Sequence, residues 1–405
     1  MIGFDTLALI VLAGLAGPLL GISRRWFVPV VAGELLGGVL LGPHVTGAID
    51  PGAPTVAFLA EVGFAMLMLS VGMHLPLRDR RLLGSLGAGA LLAAIVAVLA
   101  VPAGLLAETL AGDSHAAIYA LVLASGSAAV LLPALQEARV DGRLALPVMA
   151  QVTIADVLTI VAIPIVLQPS RLSDALTGTA LVAGAAALVL LVARAVDSRD
   201  WVQSLRTRSK DRRWALDLRL SLLVLFGLAW LAQRGGTSIL IAGFGAGLIV
   251  AIQGGPKRLS TQVRGVAEGF FVPLYFVVLG ATLDVGALFS KPSNLALAFA
   301  LTALSVVIRL LAARLARTSA SGALAATAQL GVPAAVASLG LSEHVISSAT
   351  ATAIVASALM SLAVGTVGVQ RLVREETAAA AQADAAAASA GSSSARGGSG
   401  TPAAA

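Results

Sequence analysis

The chain is built largely from apolar runs about as long as a bilayer is thick. A membrane-crossing helix needs about 20 mostly apolar residues. Thirteen segments approach that: roughly 5–22, 26–42, 55–74, 84–107, 115–135, 144–167, 174–195, 216–233, 237–253, 266–284, 294–314, 321–340 and 346–370. The pattern excludes a soluble enzyme, and composition agrees. Apolar residues make up 58% of the chain and charged ones 12%, against about 45–50% and 25% in a soluble domain. Lipid offers the backbone no hydrogen-bond partners, so such runs must be helical. The expected fold is an all-α polytopic membrane protein of about 13 transmembrane helices. The chain has no cysteine, hence no disulfide, thiolate metal site or cysteine nucleophile. Its first residues lack a basic stretch, so a cleaved signal peptide is not expected.

A net charge of +6 raises the question of nucleic acid, but the placement of the charges answers it. With the N-terminus outside, 22 of the 27 lysines and arginines fall in inner loops and three in outer loops. Basic residues gather on the cytoplasmic side of membrane proteins. The expected arrangement is therefore a multi-pass protein of the plasma membrane, N-terminus outside and C-terminus cytoplasmic, with lipid rather than nucleic acid as its surroundings. The loop over 194–219 also holds Trp201 and Trp214, which read as interfacial anchors. Residues 375–405 are mostly Ala, Gly and Ser and are expected to form a disordered cytoplasmic tail.

An internal repeat runs through the apolar segments. Ala60-Glu61-Val62-Gly63-Phe64 and Gly72 in the third resemble Ala267-Glu268-Gly269-Phe270-Phe271 and Gly280 in the tenth. Gly33, Gly37 and Gly38 in the second resemble Gly243, Gly245 and Gly247 in the ninth. Seven segments separate the partners, an odd number, so the two copies have opposite orientation. Inverted repeats mark secondary transporters, whose sites lie where corresponding helices are broken. The fifth segment contains Ser125-Gly126-Ser127 with Pro133 beyond. Its partner, the twelfth, contains Gln329-Leu330-Gly331-Val332-Pro333. Gly126, Gly331 and Pro333 are the expected helix breakers. Freed carbonyls, with Ser125 and Ser127, are candidate cation ligands.

A charge in mid-membrane costs roughly 2.5–3.5 kcal/mol on insertion scales and marks function. Asp156, near the middle of the sixth segment, is the clearest case. A carboxylate there can carry a proton or a cation, which is enough to build an exchanger. Thr153, three residues earlier, shares its face, while Gln151 lies about 140° round the helix. These are oxygen ligands, suited to hard ions such as Na⁺ or K⁺. Arg309 either balances a core carboxylate or snorkels to the interface. Glu34 and Glu61 are candidates for a vestibule or for capping, and the four histidines sit at segment ends.

Three stretches carry a family resemblance. They are Gly33-Glu34-Leu35-Leu36-Gly37-Gly38 to Leu41-Gly42-Pro43, Leu59-Ala60-Glu61-Val62-Gly63 with Val71-Gly72-Met73, and Phe271-Val272-Pro273-Leu274-Tyr275-Phe276 with Leu279-Gly280-Ala281-Thr282-Leu283-Asp284. On these the chain resembles the monovalent cation:proton antiporter-2 family over about residues 5–372. The resemblance implies a transmembrane domain over 1–374. Within it, scaffold or dimer helices occupy about 5–74 and 174–284, and core helices about 84–167 and 294–370. It also implies broken, crossing fifth and twelfth helices, a homodimer, and a core that moves like an elevator against the scaffold. Asp156 takes the family's ion and proton position, and Ser127 falls in its crossover. The chain departs from the pattern at Ala155, where the family has Asp or Asn, and at Gln151, where some relatives have Glu.

The reading is a secondary transporter exchanging Na⁺ or K⁺ for H⁺, with no cofactor and no enzymatic activity. Rival readings are an uncoupled, channel-like K⁺ efflux pathway, a sodium-coupled symporter of an organic solute, and a non-transporting sensor. An intramembrane protease is disfavoured, since the chain has no cysteine, no mid-span histidine and one mid-span aspartate.

Overall fold

The structure is a computed structural model and describes residues 3–21, 30–75, 80–128, 130–131, 135, 144–169, 172–197, 199–212, 214–254 and 257–396. Pro133, the loop arginines 24, 25, 78, 139 and 143, and the tail beyond 396 lie outside these residues. The elements are all helical. In chain order they are α1 (Phe4–Gly14), α2 (Ala16–Gly21), α3 (Val30–Leu41), α4 (Pro54–Met73), α5 (Arg80–Ala111), α6 (Ala116–Ala124) and α7 (Ala145–Leu167). Next come α8 (Leu172–Asp197), α9 (Asp200–Asp211), α10 (Leu216–Arg234), α11 (Ile239–Gln253) and α12 (Lys257–Val266). A π-turn (Ala267–Phe271) leads into α13 (Val272–Thr282), followed by α14 (Val285–Ser290), α15 (Pro292–Leu315), α16 (Ala320–Ala325), α17 (Gly331–Ser342) and α18 (Ser348–Arg396).

Among the described residues, 8 helices are long and apolar enough to cross a membrane, and four shorter apolar ones accompany them. The shortness has local causes. The expected segment 5–22 is divided at Leu15, where α1 gives way to a turn. The tenth is not short, running over Leu259–Thr282, but it is widened into a π-turn just before Pro273, whose missing N–H cannot complete the ladder to the residue four earlier.

The repeat explains how α3, α4, α11 and α13 hold together. A helix–helix contact in lipid is tight when small residues let backbones meet. A Cβ on Gly247 of α11 would lie 2.4 Å from Leu69 O of α4, and one on Gly280 of α13 would lie 2.2 Å from Leu35 O of α3. Each copy therefore packs its glycine helix on the other copy's partner, as a pseudo-two-fold axis requires.

The last helix runs past the expected domain boundary at 374, with α18 reaching Arg396. Glu376 Oε1 accepts from the main-chain N–H of Leu144 (2.7 Å) and Ala145 (3.0 Å) at the start of α7. Ser319 and Ser321, at the start of α16, donate to Glu375 at 2.8 and 2.5 Å. Two neighbouring carboxylates thus sit at the positive ends of two helices, where anions are favoured. The segment from 375 opens as a docked helix, not as a free tail.

Candidate functional site

Two helices stop in the middle of the protein. α6 ends at Ala124 and Ser125-Gly126-Ser127 is non-helical, with helical bonding resuming as Leu131 N–H donates to Ser127 O at 3.0 Å. α16 ends at Ala325, and α17 starts at Gly331. The second break therefore comes earlier than expected. It occupies 326–330, and Gly331 and Pro333 begin the next half-helix, in the first turn where proline is tolerated. The breaks touch. Ser125 Oγ donates to Gln329 Oε1 at 2.9 Å across 204 residues of sequence. Gln329 in turn reaches Ser361 Oγ at 3.4 Å.

Helix ends set the electrostatics of this crossing. The chain-terminal carbonyls of α6 and α16 are the negative ends of their half-helices. Arg309, 2% exposed on α15, donates Nε to Ala326 O at 2.9 Å and one terminal nitrogen to Leu123 O at 3.1 Å. Its other terminal nitrogen donates to Ser125 O. Ser305, one turn before it, adds its hydroxyl at 2.6 Å and its carbonyl at 3.1 Å. Arg309 therefore does not snorkel, and among the described residues it forms no ion pair with a carboxylate. It ties the negative ends of both half-helices together, and its charge is balanced by carbonyl dipoles.

Asp156 takes the opposite end. It is 1% exposed in α7, and its Oδ2 accepts from the N–H of Ala128, where the second half of the broken fifth segment begins. Gly126 brings the break against α7, since a Cβ there would lie 3.0 Å from Val152 Cγ1. Among the described residues no lysine or arginine forms an ion pair with Asp156. Thr153 is 4% exposed, and its hydroxyl is buried without a hydrogen-bond partner. Buried polar atoms are nearly always satisfied, so this hydroxyl, one turn from the carboxylate, has a free acceptor to offer a water or an ion. Ser125, Ser127 and Gln151 are also buried. Each end of the crossing thus has a partner of the right sign, main-chain carbonyls with Arg309 and a main-chain N–H with Asp156.

A cavity of about 680 Å³ opens on the face that the charge asymmetry assigns to the outside. Glu61 of α4, Gln168 after α7, Gln233 of α10 and Glu343 after α17 are among its walls. Glu34 is not. It is 4% exposed against α2, with a Cβ on Gly17 falling 2.9 Å from its Cγ, and its Oε2 is buried without a partner. The innermost residues that α4 and α13 give the cavity are Phe64 and Tyr275, stacked with ring centroids 5.1 Å apart. Tyr275 donates its hydroxyl to Ala334 O of α17 at 3.1 Å. Pro164 of α7 lines the cavity, and eight residues separate it from Asp156, about 12 Å along the helix.

Inverted copies whose broken helices meet end to end beside a buried carboxylate form the architecture of a secondary transporter. The family model described as "Sodium/hydrogen exchanger, transmembrane" matches residues 7–375, and the chain belongs to that family. Glutathione-regulated potassium-efflux system protein KefC of Salmonella newport is 28% identical over 313 residues, 74% of this chain and 49% of that protein. The same protein from Salmonella typhi matches equally. The chain thus spans about half the length of these relatives. The sodium proton antiporter MjNhaP1 of Methanocaldococcus jannaschii shares the fold with a TM-score of 0.63 at 15% identity, over 91% of this chain and 98% of that one. The chain is a multi-pass membrane protein with this fold.

Arg309's partners were the part least accessible from sequence. Ser305 and Ser361 carried no signal among many small residues. Gln329 stood in the recognised break motif, yet only the fold shows that it bridges to Ser125.

Proposed function

We propose that the chain exchanges one monovalent cation, Na⁺ or K⁺, for one proton by alternating access, with Asp156 as the shared carrier. The observation that supports this most is the buried Asp156 carboxylate, which has no cationic partner among the described residues. An uncompensated charge in the membrane interior is costly. Asp156 is therefore stable with a proton or with a bound cation, and poor at crossing empty. Cation entry displaces the proton: Asp–COOH + M⁺ gives Asp–COO⁻·M⁺ + H⁺. Thr153 Oγ1 supplies a second hard oxygen, and Ser127, Ser125, Gln151 and main-chain carbonyls at the break are further candidate ligands. One carboxyl makes the exchange one for one and electrically silent.

In this reading α5–α7 and α15–α18 form the moving core, with 1–374 as the transport domain, and α1–α4 and α8–α13 form the scaffold of a homodimer in the plasma membrane. Three facts favour the division. Asp156, Arg309, Ser125 and Gln329 all belong to the first group. The α3–α13 and α4–α11 glycine contacts lie within the second. The cavity lies between the two, with Glu61 and Glu343 as cation-attracting walls.

The test is proteoliposomes with an imposed pH gradient. Added Na⁺ or K⁺ should dissipate it, with no dependence on a clamped membrane potential. The likeness to a protein named as a potassium-efflux system favours a second reading, uncoupled K⁺ efflux. It predicts K⁺ flux with the pH gradient unchanged.

A further inference from the structure

The transport reading uses none of the eight lysines and arginines between Arg194 and Arg219. α9 lies in that stretch, bounded by the membrane helices α8 and α10, so it stays close to the bilayer surface. At 100° per residue, Trp201, Leu205, Arg208 and Arg212 fall within about 60° of one another on one side. That side faces away from the protein. Trp201 is 63% and Leu205 37% exposed, and both arginines are exposed. The corner after α9 fixes its direction. Trp214 N–H donates to Ser209 O at 3.0 Å, Leu216 N–H to Ser209 Oγ at 3.2 Å, and Ala215 takes φ 51°. Arg212 then lies over the Trp214 ring, 5.6 Å from its centroid.

We propose that this face binds the headgroups of anionic phospholipids in the adjacent leaflet. Exposed tryptophan and leucine beside guanidinium groups suit neither bulk water nor hydrocarbon. Indole rings favour the headgroup level, and amphipathic helices with arginine on the polar side lie in the interface plane. Guanidinium forks match phosphate oxygens. Asp200 lies roughly 100° round the helix from Trp201, off this face.

The test uses the full chain in vesicles of phosphatidylcholine containing a minority of phosphatidylglycerol, with brominated acyl chains on one lipid or the other. Comparison with Trp201→Phe isolates the Trp201 fluorescence. At equal mole fraction of brominated lipid, brominated phosphatidylglycerol should quench Trp201 more than brominated phosphatidylcholine. The preference should disappear in Arg208→Gln/Arg212→Gln while quenching itself persists. Equal quenching by both lipids in the unsubstituted protein would make α9 a general interfacial anchor and overturn the proposal. So would an unquenched Trp201, or a preference that survives the double substitution.

Discussion

Arg309 donates to the main-chain carbonyl of Ser125, not to the carboxylate of Asp156. The basic residue of the core is thereby committed to structure. In the proposed exchange, Asp156 takes its counter-charge from the transported cation.

The first consequence concerns stability. Arg309→Ala strands the carbonyls of Leu123, Ser125 and Ala326 at two buried helix ends. Each buried acceptor left without its donor costs about 1–3 kcal/mol. Thermal unfolding in detergent should shift down by many degrees. Arg309→Lys keeps the charge but cannot span both breaks, and should fall between.

The two glycine contacts between the repeats predict a matched pair of effects. Gly280→Ala and Gly247→Ala each place a methyl within 2.4 Å of a main-chain oxygen on the facing helix. Overpacking of this kind costs about 1–3 kcal/mol. Both variants should lower the unfolding midpoint by similar amounts, because the two contacts are mates under the repeat. Unequal losses would show that one contact bears the load alone.

How much of this was readable in advance follows from the physics of each signal. Membrane spans impose long apolar runs, so the all-helical fold, the repeat and the exchanger resemblance stood in the sequence. Asp156 stood out because charge inside an apolar run is rare. The hydrogen bonds at the crossing left no such trace. Carbonyls are the same at every residue, so nothing in the sequence marks Ser125 O and Ala326 O as the partners of Arg309. Glu375 and Glu376 lie at the head of an Ala-rich tract whose composition reads as tail, and only tertiary contact with Ser321 and Ala145 shows them docked.

Thr153 tests the ligand set. Its orphan hydroxyl should contribute to cation affinity with little effect on the maximal rate. Thr153→Val should raise the KM for cation about tenfold, the loss of roughly 1.4 kcal/mol of binding. Thr153→Ser should stay near the parent value. Because proton and cation compete for one carboxylate, the KM should also rise as pH falls, in the parent and in both variants.

The cavity walls make an electrostatic prediction. Glu61→Gln and Glu343→Gln remove negative charge from the entry side. Cation affinity should weaken modestly at low ionic strength, and the difference should vanish at high salt, where the screening length shrinks to about 3 Å at 1 M.

Asp156→Asn examines the central claim. Asparagine is nearly isosteric and its amide oxygen can still accept from Ala128 N–H, so the protein should fold and reconstitute with an unfolding midpoint close to the parent's. It can carry neither the proton nor the charge that holds a cation. In proteoliposomes bearing a pH gradient, Na⁺ and K⁺ should leave that gradient intact with Asp156→Asn and collapse it with the parent protein. A folded Asp156→Asn protein that still exchanges cation for proton at the parent rate would contradict the account.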